Sequence, residues 1–207
     1  MSKPAGKLYV ALLSIHGLIR GHNLELGRDA DTGGQILYVL ELAQALMRHP
    51  DVACVDLITR RVVDETVDDD YAVPVEILSD KLRIVHIDTG VDEHYLPKEQ
   101  LWDHLDSCAD NVVSFFRESG ALPDIIHSHH LWLASAVARK LFPAIPMVTS
   151  CHSTDLRQFL QCPHLRDRVL PHCRKIDRVL ALSGDQADKI RKPYRIDVRR
   201  TDIFVGG

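Results

Sequence analysis

Gly27-Arg28-Asp29-Ala30-Asp31-Thr32-Gly33-Gly34-Gln35 joins two segments of different period. Before it, across a polar stretch from Ser14 to Leu26, lies the apolar run Leu8-Tyr9-Val10-Ala11-Leu12-Leu13, which reads as a strand. After it, Gly34 to His49 reads as an amphipathic helix, with Ile36, Leu40, Ala43 and Met47 recurring at helical spacing. Adjacent glycines at a helix start put no Cβ in the way of a ligand. The N–H groups that a first turn leaves unpaired, and the positive end of the helix dipole, face the same point. That place suits a phosphate or a dense set of sugar hydroxyls.

Outward from this junction the same alternation continues. Val52–Thr59 reads as a second strand ending at Arg60-Arg61, followed by an acidic stretch, Asp64 to Asp70, read as a solvated loop. Leu82–Asp88 is a third strand, and Lys98–Ser119 a long helix that buries Leu101, Leu105, Val112 and Phe116. Asp124–His127 is a fourth strand, His130–Leu141 a helix, Pro146–Thr149 a fifth strand and Arg166–Lys175 a helix. Val179–Leu182 is a sixth strand. Ser183 then caps a helix, Gly184–Arg191, that Pro193 stops, and Ile203-Phe204-Val205 opens one more strand. Apolar strands alternating with helices predict an α/β fold: a doubly wound, mostly parallel sheet with helices on both faces. Ligand loops of such a sheet sit at the carboxyl ends of its strands. Here these are Ser14–Gly34, Thr89–Lys98, Ser128–Leu131 and Ser150–Gln158.

The chain has 207 residues, 45% of them hydrophobic and 26% charged, the balance of a soluble globular domain. A net charge of −4 gives no basic face for nucleic acid. No apolar run approaches the roughly 20 residues that span a bilayer, and no signal-peptide pattern opens the chain. Five cysteines, an odd number without a compact framework, suit a reducing cytoplasm.

The run His16-Gly17-Leu18-Ile19-Arg20-Gly21, together with Leu24 to Gln35, resembles the amino-terminal half of the sucrose-phosphate synthases. More broadly it is similar to the retaining glycosyltransferases built from two Rossmann-like domains, the GT-B fold. Asp56-Leu57-Ile58-Thr59-Arg60, Arg83-Ile84-Val85-His86-Ile87 and Leu96-Pro97-Lys98-Glu99-Gln100-Leu101-Trp102 extend the match in order. The resemblance implies a single Rossmann-like acceptor-binding domain over residues 1–207. It implies a hexosyltransferase that moves a hexose from UDP- or another nucleotide-hexose to a sugar or sugar phosphate, fructose 6-phosphate first. In the family a carboxyl-terminal domain binds the nucleotide sugar and grips its diphosphate. That domain is expected to be absent from this chain, which alone would be inactive. No cofactor is implied, and nothing in this half requires Mg²⁺.

The resemblance also carries roles. Gly33, Gly34 and Gln35 would form the loop that approaches donor diphosphate and acceptor. Lys98 would contact the acceptor's phosphate, His129 would belong to the acceptor site after the fourth strand, and His152 would be the catalytic histidine beside the reacting sugar. The family's Thr-Gly-His-Ser-Leu-Gly differs from Thr149-Ser150-Cys151-His152-Ser153-Thr154-Asp155, and Gln158 stands where a second phosphate-binding lysine is found. Arg157, next to it, is the cation expected to replace that lysine in binding the acceptor. Two alternatives stay open: a GT-B transferase with another acceptor, and a stand-alone sugar-phosphate-binding module without catalysis. A nicotinamide or flavin protein is disfavoured, because no Gly-x-Gly-x-x-Gly follows the first strand.

No metal site is expected. His127, His129 and His130, and the group Cys151, Cys162, His164, His172 and Cys173, lack paired Cys-x-x-Cys spacing. His127 and His129 are expected on opposite faces of their extended segment. Asp155 could pair with His152 in hydrolysis or cap the helix that follows; no Gly-x-Ser-x-Gly supplies a nucleophile. Lys98 at a helix start opposes the dipole, which favours a ligand-facing role.

Overall fold

A computed structural model describes residues 5–90, 94–197, 199 and 201–203. Its strands are β1 (Leu8–Leu13), β2 (Val52–Arg60), β3 (Val75–Ile77), β4 (Leu82–Ile87), β5 (Ile125–His129), β6 (Met147–Ser150), β7 (Arg178–Ala181) and β8 (Thr201–Ile203). The helices are α1 (Gly34–Arg48), α2 (Leu105–Ser119), α3 (Leu133–Leu141), α4 (Ser153–Gln161), α5 (Arg166–Cys173) and α6 (Gly184–Tyr194). The strands form one sheet in the order β3-β4-β2-β1-β5-β6-β7-β8. Every pairing is parallel except that of β3, which lies antiparallel on the edge of β4. The expected α/β, doubly wound, mostly parallel sheet is the fold found.

Alternation along β1 divides the core in two. Val10 and Leu12 face α1, where they pack with Ile36, Val39, Leu40 and Ala43 and with Val55, Leu57 and Ile84 of the neighbouring strands. Tyr9, Ala11 and Leu13 face the other side and join Val112 and Phe116 of α2 and Val137 of α3. Strands buried on both faces have no polar alternation to show, which is why they read as unbroken apolar runs. Among the described residues no helix is long and apolar enough to cross a membrane.

Several elements differ from the sequence reading, each for a physical reason. β3 has three residues and Ile77 is 63% exposed, so no periodic signal marked it. The long helix from Lys98 is a 3₁₀ turn, Gln100–His104, followed by α2; the tight turn buries the adjacent Leu101 and Trp102 together. β5 extends through His129, because its last residues are polar yet buried: Ser128 and His129 are inaccessible. α4 reads in the sequence only as a loop with a helix beyond it, since its buried residues include Asp155 and Gln158, which erase an apolar stripe. Pro193 lies inside α6 rather than ending it; in the last turn it removes a single hydrogen bond, and Arg195 at φ +55° terminates the helix. The acidic stretch is more than solvated surface. Asp68 and Asp70 reach buried Arg20 at 2.9 and 3.1 Å, and Asp64 accepts from the Tyr95 N–H at 2.9 Å. Phe204 and Val205, and residues 91–93 of the Thr89–Lys98 loop, lie outside the described residues.

Candidate functional site

β1 lies between β2 and β5, so the chain leaves the carboxyl ends of β1 and β5 toward opposite faces and opens a crevice there. A cavity of about 350 Å³ occupies that crevice. All four rim loops marked in the sequence contribute to its wall: His16, Ala30, Asp31, Gly33 and Gly34 from the first, Lys98, His130, and then His152, Ser153 and Thr154. Gln35 and Tyr38 of α1 and Leu182 after β7 complete it.

Gly33 occupies the N-cap position of α1 in extended backbone. The helix start has neither a side-chain cap nor an acidic residue in its first turn. A Cβ built on Gly33 or Gly34 would meet nothing within 4 Å. Neither strain nor protein packing demands glycine here; a Cβ would fill only cavity space. Gly17 is the opposite case. Its φ is +82°, and a Cβ would come within 2.6 Å of the Asp31 carbonyl oxygen, so glycine there lets the first loop fold back on itself. The Gln35 amide donates to Ser14 Oγ at 2.9 Å, which pins the start of α1 to the end of β1.

Lys98 reaches the cavity wall, and its ammonium pairs with the Asp31 carboxylate. The Lys98 N–H donates to the same carboxylate at 3.1 Å. The two rim loops are thus joined, and a phosphate drawn to Lys98 would compete with Asp31.

The histidines form one buried group. His127 and His129 stack with centroids 4.7 Å apart and planes at 15°, on the same face, which corrects the sequence reading: residues two apart on a strand share a face. His127 Nε2 bonds the Ser150 hydroxyl at 2.8 Å, and His129 Nδ1 lies 3.4 Å from His152 Nε2. His129 is inaccessible and stands behind His152 rather than on the wall. His16 packs edge-on against His130 at 4.2 Å, and His130 lies 4.4 Å from His152. Burial disfavours their charged forms: His127 falls to about 4, His130 and His152 to about 3, and His16 and His129 well below the ordinary value. Among the described residues no group of three or more His, Cys, Asp or Glu is disposed to hold a metal ion.

Asp155, fully buried, ties the loops after β5 and β6 together. Its carboxylate accepts from the His152 N–H at 2.7 Å and the Leu131 N–H at 3.1 Å. Burial raises it to about 6. It is therefore a cap at the start of α4, as one of the two sequence readings had it. Arg157 is exposed on α4 and is not on the cavity wall. Gln158 is buried and donates to Glu99 at 3.1 Å.

In the sequence His130 enters only as a rejected metal candidate within the loop Ser128–Leu131, because a His-His pair does not say which ring reaches a ligand. In the structure its φ is +75°, a conformation that costs a non-glycine residue about 1–2 kcal/mol. Two bonds hold it there: its N–H donates to the Ser150 carbonyl at 3.0 Å, and Ser135 Oγ donates to its carbonyl at 2.8 Å. His16, Asp31, Tyr38, Ser153, Thr154 and Leu182 were also not singled out. His16, Asp31, Ser153 and Thr154 stand inside the runs set against the family's pattern without a role of their own, and Tyr38 and Leu182 carry no signal beyond proximity to the rim.

Residues 32–205 match the model of Glycosyltransferase Family 4. Among curated relatives, sucrose-phosphate synthase 4 of Arabidopsis thaliana is 40% identical over 77% of this chain, and the sucrose-phosphate synthase of Zea mays is 40% identical over 83%. The chain spans 17% and 19% of those two proteins. Among solved structures, a sucrose-phosphate synthase from Thermosynechococcus elongatus superposes with a TM-score of 0.65 at 20% identity, covering 96% of this chain and 89% of that one. The catalytic domain of starch synthase IV from Arabidopsis thaliana, bound to ADP and acarbose, gives 0.61 at 14% identity, covering 97% of this chain and 52% of that one. The structures agree in fold and the sequences in family: the chain belongs to Glycosyltransferase Family 4.

Proposed function

We propose that this chain is the acceptor-binding domain of a retaining glycosyltransferase of sucrose-phosphate synthase type. It moves a hexose from a nucleotide sugar to a sugar or sugar phosphate, with fructose 6-phosphate the first candidate. The observation that carries this reading is the uncapped start of α1 at Gly33-Gly34, which opens on a cavity where a Cβ would displace only a ligand. The kinship with sucrose-phosphate synthases supports it. ADP in the starch synthase IV structure supports a nucleotide-sugar donor.

Breaking the bond between an anomeric carbon and a diphosphate builds positive charge on the sugar ring and negative charge on the leaving group. Amides at Gly33, Gly34 and Gln35 would face that negative charge without reorganising. Lys98 would trade Asp31 for the acceptor's phosphate. His152 would stand beside the reacting sugar, with His129 reaching it from behind through the 3.4 Å contact. Arg157, exposed one turn along α4 from Thr154, would meet a phosphate at the rim. The nucleotide-binding half and the groups that hold the diphosphate would come from a second domain outside this chain. Retention then needs no protein nucleophile, since the departing diphosphate can take the hydroxyl proton on the same face. Five unpaired thiols favour a cytoplasmic setting.

Titration calorimetry of the chain with fructose 6-phosphate, fructose and inorganic phosphate tests the acceptor assignment. Selective heat with fructose 6-phosphate supports it. Equal binding of inorganic phosphate would sink it, leaving only an anion site.

A further inference from the structure

His130 is a wall residue that the mechanism above leaves unused. It is 3% exposed and has an Nε2 with no hydrogen-bond partner. Its other nitrogen is engaged: Nδ1 lies 3.3 Å from Asp155 Oδ1 and 3.3 Å from Thr154 Oγ1. An ionised carboxylate can only accept, so the proton of a neutral imidazole belongs on Nδ1, between ring and carboxylate. Nε2 is then left as a bare acceptor without accessible surface, a costly state that is relieved only if the neighbouring rings give way and a donor arrives. The backbone holds it there, with an unfavourable φ fixed by bonds at both the N–H and the carbonyl.

A phosphate monoester at neutral pH offers oxygens that accept and almost no donor. It cannot satisfy Nε2, but a sugar hydroxyl can. On the same wall, Lys98 offers the complementary chemistry, a donor and a positive charge. We propose that His130, held by Asp155 as a positioning residue, accepts a hydrogen bond from a hydroxyl of the acceptor sugar through Nε2, so that a sugar phosphate lies with its phosphoryl group toward Lys98 and a hydroxyl toward His130. This rests on the acceptor-site reading given above. The role is recognition rather than proton removal, because a ring that protonates only near pH 3 is too weak a base to hold the hydroxyl proton. The Asp155–His130 arrangement also gives the departure at Ser153-Thr154-Asp155 a purpose: the carboxylate that caps α4 orients a ring on the loop after β5.

The test is imidazole ¹⁵N NMR of the unmodified full chain at neutral pH, with His130 assigned from the spectrum of His130→Gln. The free chain is expected to show the Nδ1–H tautomer. Fructose 6-phosphate, and fructose at higher concentration, should shift the Nε2 resonance, while methyl phosphate above pH 7.5, an ionised monoester with no hydroxyl, should leave it in place. His130→Phe should weaken fructose 6-phosphate about five-fold, the worth of one neutral hydrogen bond. His130→Gln, which keeps an acceptor oxygen, should recover part of that loss. An Nε2–H tautomer in the free chain overturns the proposal. So does fructose 6-phosphate that moves the backbone amide resonances of Gly33, Gly34 and Lys98, recorded on the same sample, but not His130, which would leave the acceptor-site reading standing. If no probe moves any of these resonances, the acceptor reading fails and the proposal with it.

Discussion

Two buried polar groups of this molecule are built to opposite rules. At the sheet, Asp56 is 1% exposed and every side-chain partner is in place: Arg83 Nε and Nη2 donate at 2.7 and 2.9 Å, and Tyr9 Oη at 2.5 Å. Phe115 packs beneath the Arg83 guanidinium at 5.2 Å. At the cavity, His16, His127, His129, His130 and His152 are crowded together, and the Nε2 atoms of His129 and His130 have no partner. The first group braces β1, β2 and β4 and leaves nothing for a ligand. The second carries unmet hydrogen-bonding capacity at the place where loops converge. Satisfied burial marks structure; unsatisfied burial at a strand's carboxyl end marks a site.

Acid should break this comparison most visibly. An unfolded chain protonates its histidines near pH 6.5, whereas the folded chain keeps these five neutral, with His127 at about 4 and His130 and His152 at about 3. The stability they contribute is complete above pH 6.5 and is lost as pH falls toward those values. Each proton is worth about 1.4 kcal/mol per pH unit, so His127, His130 and His152 give about 4 at the steepest, and His16 and His129 act in the same direction. Asp155 acts in the opposite sense: raised from 3.8 to about 6, it binds a proton more readily when folded, which offsets one histidine. Denaturant midpoints measured from pH 7.5 to 5 should fall steadily, by a large share of the about 5–15 kcal/mol that holds an ordinary domain together. A flat profile would mean that the cluster is charged or open to water.

Removing the brace comes next. Asp56→Ala strands the Arg83 charge and the Tyr9 hydroxyl, and should cost about 3–5 kcal/mol in urea unfolding. A loss under 1 kcal/mol would put the brace among ordinary surface pairs. Lys98→Ala sits between the two regions, since it cuts an ion pair that also faces the cavity. Fructose 6-phosphate affinity should drop about ten-fold for the loss of one charge-assisted contact. Unchanged affinity would take Lys98 out of the site. The smaller effect on stability should be that of His130→Phe. It deletes an acceptor that has no partner but also the Nδ1–H that meets Asp155, so unfolding should become easier by about 1–2 kcal/mol even as binding weakens. A loss as large as that of Asp56→Ala would place His130 with the brace instead.

Periodicity carried most of the fold. β1, α1 and β2 were legible to within a residue or so because apolar side chains fill both faces of the inner strands and one face of α1. Legibility failed where buried positions are polar. α4 buries Asp155 and Gln158, and the end of β5 buries Ser128 and His129, so neither showed the apolar pattern that burial normally imposes. The glycine pair is legible from the strand-to-helix junction alone, and Gln35, Lys98 and His152 through a family pattern; all meet at one cavity, whereas His129 lies behind it and Arg157 stands off it.

By itself the sequence determined the alternation of strands and helices, the strand-to-helix junction at Gly33-Gly34, and the family to which the chain belongs. These depend on neighbours within a few residues, where side-chain spacing and backbone freedom act directly. Only the tertiary structure decided that Asp155 meets His130 across 25 positions, that Asp31 occupies Lys98, and which histidine nitrogen is left without a partner. Hydrogen-bond satisfaction and burial are properties of groups brought together from distant positions. They come into being only when the loops close on one another.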